Sequence, residues 1–182
     1  MSSIPEWNAL HPLVVHFPIA LLLVAPLLAV IGLVVKRQRA FLFAALVLMA
    51  LGTAGAWLAV ATGEAAGKLV ESLPGVEDVV EHHGEMAETT ATLFTVLTLV
   101  YGVLLLAHLA LRWQPRRIRE LTAHGAFLAV YAAAAVYLTQ TAHLGGLLVH
   151  QHGVHATVGQ GAPAVEAGAR EADESDERGH RD

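Results

Sequence analysis

Eleven histidines stand in a chain of 182 residues that contains no cysteine. Without thiols the chain can form no disulfide, hold no thiolate-bound iron–sulfur cluster and attach no haem covalently through a Cys-x-x-Cys-His motif. Neutral imidazole, by contrast, offers a lone pair to a metal ion or a haem iron. The histidines come in groups: His11 and His16, His82 and His83, His108 and His124, then His143, His150, His152 and His155. His180 lies apart in the polar C-terminal stretch.

What positions them is a hydrophobic framework. Apolar residues make up 55% of the chain and charged ones 15%, with a mean hydropathy of +0.54. The apolar residues fall in four blocks, roughly 13–35, 40–62, 89–111 and 121–148. A helix needs about 20 such residues to cross a bilayer, so each block reads as a span. The expected fold is all-α, an integral membrane four-helix bundle over residues 1–155. Residues 156–182, rich in Gly, Ala, Glu, Asp and Arg, read as a polar, disordered tail. The first block carries no Lys or Arg ahead of it and three basic residues behind it. That is the reverse of a cleaved signal, so it reads as a retained helix. No internal repeat stands out.

Basic residues set the orientation. Lys36, Arg37 and Arg39 occupy the first connection; Arg112, Arg116, Arg117 and Arg119 occupy the third. The second holds Glu64, Glu71, Glu77, Asp78, Glu81 and Glu85 against Lys68. The positive-inside rule places connections one and three in the cytoplasm and both termini on the other side. Helices two and three are expected to extend beyond the membrane on that side, with Pro74-Gly75 breaking the chain between them. Pro18 and Pro26 predict a kink in span one. A net charge of −5 argues against nucleic acid as a partner.

On this topology His11, His16, His82, His83, His143, His150, His152 and His155 all collect at the non-cytoplasmic end. Ionisable groups at membrane depth are expensive, so their convergence marks a candidate site. Two imidazoles facing each other across the bundle would fill both axial positions of a haem b, leaving an iron suited to electron transfer. His16 and His83 are the expected pair, His16 because it lies more than a turn deeper than His11; His143 and His152 are the competing set. His108 and His124 could pair near the opposite face. Alternatively, a copper or zinc site could draw on His11, His16, His83, His143, His150 and His152, with Glu64 or Glu85 nearby. Wet, interfacial histidines in an accessory subunit of a larger complex, or in a homo-oligomer, also fit. No nucleophile–base pair points to an enzyme.

The opening Leu10-His11-Pro12-Leu13-Val14-Val15-His16-Phe17-Pro18-Ile19 resembles a bacterial membrane family, domain of unknown function 2231. Thr62-Gly63-Glu64-Ala65-Ala66, Glu81-His82-His83-Gly84-Glu85, His143-Leu144-Gly145-Gly146 and Leu148-Val149-His150-Gln151-His152-Gly153-Val154 are similar to its other motifs. The resemblance covers residues 10 to about 155. It implies four spans and marks His11, His16, His83, His143 and His152; at His150 the family commonly has Tyr. Members joined to Rieske or cytochrome c modules imply a redox setting in a bacterial inner membrane. A separate c-type cytochrome or Rieske protein would then be the electron partner.

Overall fold

The computed structural model describes residues 10–35, 38–68, 76–110 and 117–150, with side chains unassigned at 38, 108–110 and 117–120. Among the described residues five helices follow one another: α1 (His11–Val14), α2 (His16–Val34), α3 (Gln38–Gly67), α4 (Glu77–Ala110) and α5 (Arg117–His150). Among the described residues there is no strand. The helices make four stretches long and apolar enough to cross a membrane: His11–Val34, Arg39–Gly67, Glu77–Ala107 and Leu121–His150. The expected membrane four-helix architecture is therefore present.

Span one is α1 and α2 together, separated at Val15, which keeps helical dihedrals (φ −61°, ψ −31°). A proline ring crowds the carbonyl four residues before it and donates no hydrogen bond there. For Pro18 that carbonyl belongs to Val14, where α1 ends. Pro26 lies inside α2 without ending it. The spans of 29, 31 and 30 residues exceed the roughly 20 that a bilayer requires. Gly84 does not interrupt α4, and Gly145-Gly146 do not interrupt α5, so α5 is long as well as α3 and α4.

Neighbouring helices run antiparallel. Gly32 meets Leu42 and Gly52 meets Leu22 between α2 and α3; Thr90 meets Thr141 between α4 and α5. Both α2 and α4 pack on α3 and on α5 but not on each other. Span one and span three are thus diagonal partners across the bundle.

The core follows steps of three and four residues in every span. Pro18, Leu22, Ala25, Ala29 and Gly32 are buried in α2. Leu42, Ala45, Met49, Gly52 and Ala56 are buried in α3; Thr90, Phe94, Leu97, Tyr101 and Leu105 in α4. In α5 the buried series is His124, Phe127, Tyr131, Ala134, Leu138 and Thr141. Small residues on α2 and α3 let backbones come close, as packing between lipid-solvated helices requires. Hydroxyls add cross-links: Tyr131 Oη donates to the Leu22 carbonyl (2.7 Å), and Thr53 and Thr98 share a 2.9 Å bond. The expected tail, 156–182, lies outside the described residues.

Candidate functional site

Extending the four buried series toward the end of the bundle that holds the start of α1 and the end of α5 leads to one place. Seven residues before Pro18 is His11, and seven before Thr90 is His83. Beyond Ala56 the same steps reach Ala59 and Gly63; beyond Thr141 they reach Gly145. Each span therefore contributes to the same level.

Span one and span three supply the imidazoles. The rings of His11 and His83 lie with centroids 6.4 Å apart and planes at 82°. His11 Nδ1 donates to the Ala59 carbonyl at 2.9 Å, with Thr62 Oγ1 at 3.3 Å. That assigns the proton to Nδ1 and leaves Nε2 with its lone pair. The backbone of Thr141 interacts with the His83 ring, while His83 Nδ1 is buried with no hydrogen-bond partner. His11 is thus tied to a neighbouring helix through one nitrogen, and the His83 ring lies by the Thr141 backbone with Nδ1 left over. A ligating histidine is usually held in this way, its second nitrogen on a carbonyl.

Spans two and four supply clearance for the rings. A Cβ at Gly63 would come within 3.0 Å of His11 Cε1, and one at Gly145 within 2.9 Å of His83 Cε1. Gly63 follows Ala59 by one turn, and Gly145 follows Thr141 by one turn. The two hairpins repeat a single device: an imidazole from the first helix rests on a carbonyl–glycine step of the second. Beneath the rings, Thr62, Thr90 and Thr141 are all buried. Each hydroxyl is bonded back to its own helix, and Thr90 also to Thr141 at 2.9 Å.

The other candidates fall elsewhere. His16 does not join His83: its ring is exposed and Nδ1 donates to the Pro12 carbonyl of its own helix segment, 2.9 Å away. Depth along the span therefore misleads, because residues 11 and 16 point in different directions around the axis. His82, His143 and His150 are exposed, as are Glu64 and Glu85. His152 and His155 lie outside the described residues, so the pairing of His143 with His152 does too. At the opposite end, His124 is 6% exposed and sets its ring edge-on to Tyr101, with centroids 6.3 Å apart. Its expected partner His108 has no described side chain.

Sequence reasoning did not single out Ala59 and Thr141, whose contribution is a backbone carbonyl, nor glycine's role as a seat. The signal available was spacing: the buried heptad series passes through both carbonyl–glycine steps.

The motifs that meet here are those at the start of span one, the end of span two, the start of span three and the end of span four. A family model described as a predicted membrane protein, DUF2231, matches residues 8–158. The chain belongs to this DUF2231 family. No curated protein and no solved structure matches it. In this DUF2231 protein the matched region runs from just before His11 to just beyond α5, so it includes all four walls of the site.

Proposed function

We propose that this DUF2231 protein is a small membrane redox subunit of b-cytochrome type, with a haem iron held between His11 and His83. The observation that carries the reading is the number of converging imidazoles. Two come together, each with one spare nitrogen, and among the described residues no group of three His, Asp or Glu forms. A zinc site needs three or four protein ligands. A haem needs only two, because the macrocycle supplies the rest.

The residues fit the group in two further respects. The two rings lie close enough, with centroids 6.4 Å apart, for His11 and His83 to hold one group between them. The helices flanking that line, α3 and α5, carry glycine where each ring packs, so each imidazole lies directly against the neighbouring backbone. A haem held by His11 and His83 would supply one-electron transfer. The chain's own residues would hold it, orient the imidazoles through Ala59 and Thr141, and surround it with apolar spans. A bacterial inner membrane, with the histidine end facing the periplasm and a c-type cytochrome or Rieske protein as electron partner, completes the proposal.

A reduced-minus-oxidised spectrum of detergent-purified protein from haem-replete cells tests it. The expected result is a b-type signal lost in His11→Ala and in His83→Ala, retained in His16→Ala, and restored in His83→Gly by added imidazole. A colourless wild-type protein ends the haem reading. If metal analysis of that protein finds bound copper or zinc, the bare-ion alternative replaces it.

A further inference from the structure

We propose that Gly63 and Gly145 are positioning residues, each leaving out a side chain so that an imidazole can lean on the next helix and present its second nitrogen to a shared centre. The inference rests on the reading that His11 and His83 ligate a common group, but not on that group being haem.

The geometry is specific to these two glycines. The added Cβ at Gly63 would be 3.0 Å from Cε1 and 3.2 Å from Nδ1 of His11, the nitrogen bonded to Ala59. At Gly145 it would be 2.9 Å from Cε1 and 3.3 Å from Nε2 of His83. The Thr141 backbone lies beside the same ring. In both cases a methyl group would displace the ring from its place against the neighbouring helix. The helices have no need of glycine for their own sake, because alanine is the better helix former. Gly84, next to His83 in sequence, and Gly146, next to Gly145, would each place a Cβ against nothing within 4 Å. Glycine at 63 and 145 is therefore explained by the rings and not by the backbone.

The matched arrangement makes the centre one site built from two half-sites, one per hairpin. Losing either seat should misdirect one ligand while the fold remains. Outer-shell partners of this kind change ligand affinity by about 10–100-fold.

The experiment compares Gly63→Ala, Gly145→Ala and the control Gly146→Ala in the full chain. Haem retention and midpoint potential are read beside the thermal midpoint, and histidine ring nitrogens are read by 15N NMR. Retention about 10–100-fold weaker and a shifted potential in the first two, with Gly146→Ala unchanged and helix content intact in all three, supports the inference. Unaltered retention and potential in both overturns it. If the wild type carries no haem, the haem reading fails and the NMR arm decides. A proton on Nδ1 of His11 that is lost in Gly63→Ala but kept in Gly146→Ala supports the seat; the same spectrum in all proteins overturns it.

Discussion

His83 Nδ1 is a buried polar atom with no partner. Leaving such a group unsatisfied costs about 1–3 kcal/mol, so a ligand at that point would recover what folding gives up. The contrast with Tyr131 is instructive. Its hydroxyl is equally withdrawn but donates to the Leu22 carbonyl at 2.7 Å, joining α5 to α2. Tyr131→Phe is expected to lower unfolding free energy by about 0.5–1.5 kcal/mol and to leave any pigment unchanged. Titration in a denaturing detergent would measure the first, and a spectrum the second. A hydroxyl that holds helices together and a nitrogen without a partner thus give separable signatures.

At the scale of elements, the buried series place the site. Each span presents one face inward, and at the level of the site that face carries a histidine or a glycine. Anything that turns a helix about its axis therefore moves the site as well as the core. Gly52 is the tightest of the α2–α3 contacts, since a Cβ there would lie 2.8 Å from the Leu22 side chain, which is fully buried. Gly52→Val should destabilise the bundle by about 1–3 kcal/mol through overpacking. It should also disturb the seat of His11, on the same pair of helices, by shifting α2 against α3. Gly102→Ala is the companion control, because its Cβ would meet only Leu46 Cδ1 at 3.8 Å; its thermal midpoint should match the wild type.

For the whole molecule, the absence of cysteine makes orientation easy to read. Single cysteines at Gln114 and at Asp78 are expected to label from opposite sides in intact cells, Asp78 being the one open to an impermeant reagent. Labelling of Gln114 alone would invert the topology and put the histidine pair on the cytoplasmic side. The basic loops carry this expectation through the positive-inside rule. Four long apolar blocks likewise made the four spans legible, because a bilayer demands an uninterrupted apolar length and nothing subtler.

Composition and order along the chain were enough for the span count, the histidine-rich end and the exclusion of thiol chemistry. They were not enough to choose among histidines at that end, since His11 and His16 are equally close to it and only the rotation of span one separates them. The buried face that begins at Pro18 turns His11 inward and His16 outward, and that face is defined by contact with α3 and α5. Diagonal neighbours, carbonyl seats and the clearance at Gly63 and Gly145 are likewise properties of four helices packed together. Hydrophobic length is written locally in each span; the direction in which a side chain points depends on what the other three spans leave open.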